Sequence, residues 1–433
     1  MIELDHTHDA NAASWVSSAQ IEDTDFPIQN LPLGVYQAGD GASRIGVAIG
    51  TQVLDLGRAF DTGLLSQISD LEAACREPSL NTLMAMGRPA ARRLRHALFD
   101  LLKAGSPAQQ HGDTLLLDMA QVMMLVPARI GDFTDFFTSI HHARRTGQMF
   151  RPDTPLQPNF RHLPVAYHGR ASSIVADGTP CVRPLGQTGA ESGYTPSKRL
   201  DFELEVGIYV GPGNALGSRI TLEEAEQQVF GLCLLNDWSA RDIQRWESQP
   251  LGPFLAKSFM STVSPWVVTL DALAPFRCAA AGRGDDAPPL AAFLNSREHE
   301  LCGGVDIALG VSLQTTRMRE ERRDAFAVSQ ARFADQYWSI FQMLTHHASN
   351  GCNLRSGDLL GSGTVSDADA RNSGCLLELT NNGAEAIVLP NGETRTYLED
   401  GDYVEFRGRC NASGYRSIGF GRCGATIRPA GYP

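Results

Sequence analysis

The pattern of apolar and polar residues along the chain predicts many short strands, which are separated by long loops rich in glycine and proline. Residues 44–55 favour two strands around a tight turn, and residues 200–210 alternate strictly between the two classes. Further runs typical of strands span residues 229–235, 265–270, 375–380 and 402–406. Because long helices do not alternate regularly with these runs, the pattern indicates an α+β fold dominated by strands.

Three segments predict helices. Apolar residues recur at helical spacing over residues 91–101, after Pro89. Thr221-Leu-Glu-Glu224 has the form of a capping box, in which two side chains satisfy free N–H groups at the start of a helix. The spacing of apolar residues over 333–344 predicts another helix, which Gly351 would end. The polar stretch 103–112 is a candidate boundary between a small N-terminal domain and the rest.

The charge balance restricts the partners that the chain could bind. The 433 residues include 37 Lys and Arg against 49 Asp and Glu, which gives a formal net charge of −12. So acidic a surface disfavours nucleic acid and anionic membranes, and no run approaches the ~18 to 20 apolar residues of a membrane span. We therefore expect neither as a partner. An anionic substrate would need a local excess of cations, supplied by a metal or by arginines.

The cysteines and the N-terminal segment favour a cytoplasmic protein. The nine cysteines form no C-x-x-C pair, so mostly buried thiols in a reducing compartment are expected. The acidic segment 1–10 lacks the cationic and apolar regions of a secretory signal. We expect the two histidines of this segment, His6 and His8, to be solvated.

Acidic residues at alternating positions are the sharpest chemical feature of the sequence. In a strand over residues 200–210, Asp201, Glu203 and Glu205 would share one face, where like charges repel each other. Either that face is exposed and solvated, or a cation neutralises it.

Two further segments favour the cation. Asp237 follows an apolar run, and Asp132 and Asp135 lie between aromatic residues, where an unpaired charge is costly. A hard divalent ion with oxygen ligands, Mg²⁺ or Ca²⁺, would satisfy these groups together. Zinc is disfavoured because no Cys or His ligand spacing accompanies them.

Basic and imidazole side chains in the same segments could act on a substrate. Arg241, Gln244 and Lys257 could hold an oxyanion, although a surface helix with ion pairs is the commoner meaning of such a charge pattern. Either His141 or His142 could be a general base, and spacing does not distinguish them. From the residues alone we predict a metal-assisted hydrolase or lyase that acts on a small oxo acid.

Several long motifs resemble the fumarylacetoacetate hydrolase family. The resemblance runs from about residue 25 to the carboxyl terminus and is weaker over residues 56–115 and 271–300. The segments that carry it include Gly131-Asp-Phe-Thr-Asp-Phe136, Tyr167-His-Gly-Arg-Ala-Ser-Ser173, Asn236-Asp-Trp-Ser-Ala-Arg-Asp242 and Asn350-Gly-Cys-Asn-Leu-Arg355. It implies a small SH3-like barrel in residues 1–125, a larger mixed β-sandwich or roll domain in residues 126–433, and a homodimer.

The same resemblance implies a reaction and a site. The reaction is hydrolysis of the carbon–carbon bond of 4-fumarylacetoacetate, a dianionic β-diketo acid, to fumarate and acetoacetate in tyrosine and phenylalanine catabolism. The implied cofactor is Mg²⁺ and/or Ca²⁺. The implied catalytic residues are His142 as general base, Glu378 to orient it, and Arg241, Gln244 and Lys257 around the oxyanion. The other implied residues are Asp135, Glu203, Glu205, Asp237, Lys257 and Ser261 for metal, and Arg151, Tyr167, Gln244 and Thr364 for substrate.

Two further substrate-binding positions depart from the family pattern. Phe137 and Ser248 stand where the family commonly has tyrosines, whereas Ser261 replaces a threonine and keeps the hydroxyl. These changes affect substrate fit more than reaction type, so a related acylpyruvate or other β-diketone stays open. A decarboxylase or tautomerase of the same superfamily, and a non-enzymatic metal-stabilised module, are the alternatives. The implied pair of His142 and Glu378 favours hydrolysis, because decarboxylation needs no activated water.

Overall fold

One sheet of thirteen strands forms the centre of the computed structural model, which describes residues 4–39 and 41–431. Along its main path the strands follow in the order Leu116–Asp118, Gln52–Asp55, Ser43–Ile49, Leu33–Gln37, Trp266–Thr269, Val229–Asn236, Leu204–Val210, Leu359–Gly361, Phe133–Phe136 and Ala166–His168. Three more strands pair at its sides, Met123–Leu125, Ile174–Ala176 and Ser261–Val263. Strands from both ends of the chain therefore belong to a single sheet.

The N-terminal strands confirm the predicted turn within residues 44–55 but do not confirm an SH3-like barrel. Leu33–Gln37 pairs with Ser43–Ile49 and with Met123–Leu125, while Gln52–Asp55 pairs with Leu116–Asp118. Among the described residues these strands form an open end of the large sheet, and no closed barrel is present. Since residues 116–125 pair back onto this unit, the polar stretch 103–112 does not end it.

A second sheet packs against the first and completes a sheet-rich mixture of α and β structure, in agreement with the expected class. Its strands follow in the order Phe326–Arg332, Ala308–Gln314, Tyr403–Cys410, Ile418–Arg428 and Cys181–Val182. The rings of Phe202 and Phe406 meet edge to face across the two layers, with their centroids 5.8 Å apart. One large cluster of buried apolar side chains joins the strands of both sheets.

The longer helices of the described chain are Gly87–Leu102, Ile140–Phe150, Leu222–Gln228, Arg241–Glu247 and Ile340–Ala348. The capping box of Thr221 and Glu224 is confirmed. The helix predicted from residue 333 begins only at Ile340, because Ser339 caps it there and Phe333–Asp335 forms a separate 3-10 turn. Shorter helices are Leu56–Asp61, Glu72–Cys75, Asn81–Ala85, Gly112–Leu115, Leu255–Ser258, Arg297–Cys302, Thr316–Glu320 and Leu376–Leu379.

Two predictions about strands are wrong. Residues 200–210 form two strands, Leu200–Asp201 and Leu204–Val210, and every residue of this stretch is buried, so no solvated acidic face exists there. Residues 375–380 contain the helix Leu376–Leu379 in place of a strand. Asp201 accepts hydrogen bonds from the N–H groups of Leu376 (2.7 Å) and Leu377 (3.0 Å), which satisfies the first turn of that helix.

The expectation about buried thiols is confirmed, whereas the expectation about the N-terminal histidines is wrong for one of them. All nine cysteines are free and six of them are buried, as predicted. His6 is exposed, but His8 is buried, so the expectation that both are solvated is wrong for His8. In residues 4–39 and 41–431 no helix is long and apolar enough to cross a membrane.

Candidate active site

A cavity of about 630 Å³ lies where the edge strands of the large sheet meet the helices Ile140–Phe150 and Arg241–Glu247. Most of the predicted site residues line it, namely Asp135, Phe137, His142, Arg151, Tyr167, Glu203, Arg241, Gln244, Ser248, Lys257 and Thr364. Glu205, Asp237 and Glu378 lie behind this lining and contact it through hydrogen bonds. Ser261 lies one contact further away, where its hydroxyl donates to Oδ1 of Asp237 at 2.7 Å.

Four carboxylates converge on one side of this cavity. Asp135 belongs to Phe133–Phe136, Glu203 and Glu205 lie at the start of Leu204–Val210, and Asp237 directly follows Val229–Asn236. These strands are close neighbours in the sheet, so their ends bring the four side chains together. One oxygen from each carboxylate lies within 4.8 Å of the others, and each residue is at most 5% exposed. Asp132, which was expected to join them, is exposed instead.

The electrostatics of this cluster indicate that a cation is needed to complete it. Burial, and then the neighbouring carboxylates, raise the pKa of Asp135 and of Glu205 well above the usual range. Oε1 of Glu205 is buried and has no hydrogen-bond partner among the described residues. A purely oxygen donor set suits Mg²⁺, Ca²⁺ or Mn²⁺ better than zinc. The residues therefore fit a hard divalent ion.

The strand Leu359–Gly361 leaves room for this cluster. A Cβ atom at Gly361 would lie 2.5 Å from Oδ1 of Asp135 and 2.9 Å from Oε2 of Glu205, so only glycine fits there. Two residues later, the N–H group of Gly363 donates to both carboxylates, at 3.2 and 3.0 Å. The sequence analysis missed both glycines, because their role depends on a strand more than 120 residues away from either carboxylate.

Two cations fix the orientation of Glu203 and Asp237. The ammonium of Lys257 donates to Oε2 of Glu203 and, at 2.8 Å, to Oδ2 of Asp237. Arg241 donates from Nη1 to Oε1 of Glu203 at 2.7 Å and from Nε to Asp201 at 2.9 Å. Burial alone would raise the pKa of Glu203, but Lys257 and Arg241 outweigh it and lower this pKa to about 2. Lys257 thus faces the cluster through its ammonium group, a donor that cannot ligate a metal.

Arg241 also presents a free donor to the cavity. Its Nη2 atom is buried and has no hydrogen-bond partner within residues 4–39 and 41–431. Its Nη1 atom additionally donates to Oε1 of Gln244 at 3.1 Å.

The hydroxyl of Tyr167 donates to Oδ2 of Asp237 at 2.6 Å. Burial, and then the charge of Asp237, raise the pKa of Tyr167 well above the usual range.

An imidazole faces the carboxylate cluster from the other side of the cavity. Nδ1 of His142 lies 2.5 Å from Oε2 of Glu378, and both side chains are buried. Because Nδ1 donates to a carboxylate, this nitrogen carries the proton and Nε2 is left as the basic atom. His141, the other candidate, is partly exposed and does not line the cavity. The geometry therefore distinguishes two neighbours that spacing could not.

Three more side chains hold Glu378 in place. Ser366 Oγ donates to its Oε2 at 2.8 Å, Cys375 Sγ donates to the same oxygen at 3.2 Å, and Arg145 Nη1 donates to Oε1 at 3.2 Å. Burial would raise the pKa of Glu378, but His142 and these hydrogen bonds lower it to about 2. The sequence analysis missed all three residues. Only Arg145 left a signal, since it follows His142 by one helical turn.

The other side chains of the cavity decide what fits in it. Phe137 packs edge to face against His142, with ring centroids 5.2 Å apart. The hydroxyl of Ser248 donates to the carbonyl oxygen of Gln244 at 2.5 Å. Besides Arg151, the lining also includes Arg199 and Arg245, which sequence reasoning did not select. Several cationic side chains thus line the cavity of a protein whose net charge is −12.

Two family profiles together match most of the chain. The profile described as "Fumarylacetoacetase N-terminal" matches residues 29–127, and the one described as "Fumarylacetoacetate (FAA) hydrolase C-terminal" matches residues 133–428. The chain belongs to the fumarylacetoacetate hydrolase family. Within this family, the fumarylacetoacetase of Arabidopsis thaliana is 48% identical over 419 residues, which cover 94% of this chain and 97% of that protein. The fumarylacetoacetase of Homo sapiens is 46% identical over 426 residues, which cover 95% and 98%.

Solved structures of more distant proteins also match over nearly their full length. A fumarylacetoacetate hydrolase from Exiguobacterium antarcticum shares 17% identity, with a TM-score of 0.49 and coverage of 92% of this chain and 99% of that chain.

Proposed function

We propose that the protein hydrolyses the carbon–carbon bond of 4-fumarylacetoacetate to give fumarate and acetoacetate, a step of tyrosine and phenylalanine catabolism. The observation that carries the proposal is the pairing of His142 with Glu378 opposite four converging carboxylates in one cavity. Fumarylacetoacetases that align with nearly the whole chain support the choice of substrate.

His142 and Glu378 would activate the water. Nε2 of His142 removes a proton from water as the oxygen bonds to the ketone carbon of the fumaryl group, and Glu378 stabilises the resulting imidazolium. General-base catalysis of this kind contributes about 10² to 10⁴ in rate. The electron pair of the carbonyl moves onto its oxygen, where Nη2 of Arg241 and the ammonium of Lys257 stabilise the negative charge.

Collapse of this tetrahedral species breaks the bond to the methylene carbon. The electron pair leaves with acetoacetate as an enolate, and the imidazolium of His142 returns its proton to that carbon. The new fumarate carboxyl group loses the second hydrogen of the water, so each turnover releases one proton. A divalent cation held by Asp135, Glu203, Glu205 and Asp237 would supply Lewis acidity toward the two ketone oxygens and the enolate.

The remaining site residues would hold the ends of the dianionic substrate. Arg151 provides a charge for a carboxylate, and Tyr167 and Thr364 provide hydroxyl groups for carbonyl oxygens. Phe137 and Ser248 would border the substrate without the phenol groups that the family commonly places there. Mg²⁺ or Ca²⁺ is the proposed ion, with Ser261 near it through Asp237.

We also propose that the protein is a cytoplasmic homodimer, with an N-terminal SH3-like domain in residues 1–125 and a catalytic domain in residues 126–433. Its partner in catalysis would be a small molecule only. Light scattering on the purified protein would test the dimer, since a mass near twice that of one chain is expected.

An assay with 4-fumarylacetoacetate tests the proposed reaction. Loss of the diketone absorbance should be accompanied by equal amounts of fumarate and acetoacetate, and by one proton in a weakly buffered solution. His142→Ala should lower kcat by about 10³-fold, whereas the matched control His141→Ala should stay near wild type. Release of CO₂ without fumarate would replace the proposal with a decarboxylase, and unchanged turnover in His142→Ala would exclude this base.

A further inference from the structure

A second group of metal-binding side chains lies outside the cavity, where the N-terminal segment packs on the helix Gly87–Leu102. Ligand atoms of Asp5, His6 and His96 all lie within 4.8 Å of one another. Nε2 of His96 is 2.7 Å from Oδ2 of Asp5, and the rings of His6 and His96 have their centroids 4.8 Å apart. His6 is exposed and the other two side chains are half-buried, so solvent reaches this group.

Neighbouring residues hold the carboxylate of Asp5 in a fixed orientation. Its Oδ1 atom accepts hydrogen bonds from the N–H group and the hydroxyl of Thr7, at 2.9 and 2.7 Å. The Thr7 hydroxyl in turn accepts from Nε of the buried Arg95 at 3.0 Å. These contacts use one oxygen of Asp5 and direct the other toward His96, as outer-shell hydrogen bonds do for the ligands of metal sites.

The fourth polar side chain of this segment, His8, has a different role. Its Nε2 atom lies 2.7 Å from the carbonyl oxygen of Asp271 and must therefore donate, which leaves Nδ1 to accept from the N–H group of Asp5 at 3.0 Å. Both nitrogens of His8 are thus used within the protein. His8 therefore attaches the segment to the rest of the chain through contacts that do not involve His6 or His96.

We infer that Asp5, His6 and His96 form a transition-metal site, for which Zn²⁺ is the best candidate. Two imidazoles with one carboxylate form a mixed nitrogen and oxygen donor set, which suits zinc, unlike the purely oxygen donors of the active site. Zinc binds such atoms at about 2.0–2.2 Å, so small side-chain rotations bring the three onto one ion and leave a position for water. The bound ion joins the N-terminal segment to the helix Gly87–Leu102 and stabilises the folded chain.

Metal titration of the untagged full chain tests this site. With the active site saturated by Mg²⁺, we expect one equivalent of Zn²⁺ to bind by calorimetry, to raise Tm, and to be replaceable by Co²⁺ with visible absorption bands typical of imidazole ligation. His6→Gln and His96→Gln should each weaken Zn²⁺ binding by at least 10-fold and abolish the rise in Tm. His6 is exposed, so the first of these variants should fold normally.

The control variant is His111→Gln, which removes an exposed histidine that does not belong to this group. It should bind Zn²⁺ as the wild type does. Equal Zn²⁺ affinity in the wild type, His6→Gln and His96→Gln would overturn the inference, as would the absence of Zn²⁺ binding in the presence of Mg²⁺. An equal loss of affinity in His111→Gln would also overturn it, because scattered surface histidines would then explain the binding.

Discussion

The two sides of the cavity contain buried carboxylates of opposite electrostatic character. Glu378 receives hydrogen bonds from an imidazole, a guanidinium, a hydroxyl and a thiol, and its pKa is lowered to about 2. Glu205 is equally buried, but other carboxylates surround it, one of its oxygens has no hydrogen-bond partner among the described residues, and its pKa is raised. Both side chains are buried, so the number of hydrogen-bond donors and cations around each carboxylate decides whether its pKa is lowered or raised.

This difference indicates which side is complete without a ligand. The side with Glu378 is preorganised by the protein alone and holds His142 in one tautomer and one orientation. On the side of the carboxylate cluster, Asp135, Glu205 and the neighbouring carboxylates repel one another unless a cation binds between them. Catalysis by this account requires both, because the base must already be in place when the substrate and the ion arrive.

Replacing a carboxylate of the incomplete side should have the largest effect. Glu205→Gln removes a ligand, so we expect loss of divalent-ion binding and a fall in kcat of more than about 10³-fold, a range that the loss of electrostatic stabilisation can reach. In EDTA the same variant should be more stable than wild type, since it removes one of the buried carboxylates that raise each other's pKa. Activity and urea unfolding would measure both effects.

Asp132→Asn is the matched control for this variant, because Asp132 lies in the same segment as Asp135 but is exposed. Its activity and its stability in EDTA should equal those of wild type. A Glu205→Gln variant that is less stable than wild type in EDTA would show that repulsion is absent from the cluster.

Glu378→Gln tests the complete side and should have the next largest effect. An amide keeps the shape but does not stabilise the imidazolium, so kcat should fall by about 10²-fold while divalent-ion binding stays unchanged. The pKa of Glu378 is lowered from 4.5 to about 2, so its stabilising effect is present above pH 4.5 and is lost as the pH falls toward 2. The stability difference between wild type and Glu378→Gln should therefore vanish over that range.

Arg145→Gln should have a smaller effect, because Arg145 does not line the cavity and is linked to His142 only through Glu378. We expect kcat to fall by about 10-fold with KM nearly unchanged, the loss that one charged hydrogen bond of about 1.5 kcal/mol would cause. Arg145→Lys should restore part of the rate. Arg144→Gln is the control, since Arg144 is adjacent but exposed; equal losses in the two glutamine variants would contradict a specific role for Arg145.

Phe137→Tyr should have the smallest effect. Phe137 lines the cavity beside His142, so we expect the added hydroxyl to donate to the substrate. KM should then fall by up to about 10-fold, which is the contribution of one neutral hydrogen bond. The value of kcat should change little, because the base and its partner are untouched. Steady-state kinetics with 4-fumarylacetoacetate and a shorter acylpyruvate would show whether the gain is specific to the longer substrate.

Local signals in the sequence were sufficient for the elements that depend on adjacent residues. The capping box at Thr221 and the turn within residues 44–55 were predicted because their hydrogen bonds join residues close in the chain. The helix Leu376–Leu379 was predicted as a strand, because the carboxylate that caps it, Asp201, lies 175 residues away. Tertiary contact therefore overrode a local apolar pattern.

In the candidate site too, local sequence patterns indicated some residues, while others depend on tertiary contacts. Acidic residues with period two indicated Glu203 and Glu205, and the apolar and aromatic neighbours of Asp135 and Asp237 indicated those two. The family resemblance selected His142. The sequence could not show that Asp201 leaves this cluster to hold a helix and Arg241. It also could not show that Ser366 and Cys375 donate to Glu378. These residues lie only 12 and 3 residues before Glu378, but the apolar pattern over residues 375–380 predicted a strand where the chain forms the helix Leu376–Leu379.

Binding of a hard cation beside His142 is the central claim, and titration of EDTA-stripped protein with Mg²⁺, Ca²⁺ or Mn²⁺ tests it most directly. Calorimetry and the hydrolysis rate of 4-fumarylacetoacetate should be followed in the same samples. The account predicts that EDTA abolishes turnover, and that one ion bound at the carboxylate cluster of each chain restores it in wild type but not in Glu205→Gln. Full turnover in EDTA, or equal ion binding by Glu205→Gln, would contradict it.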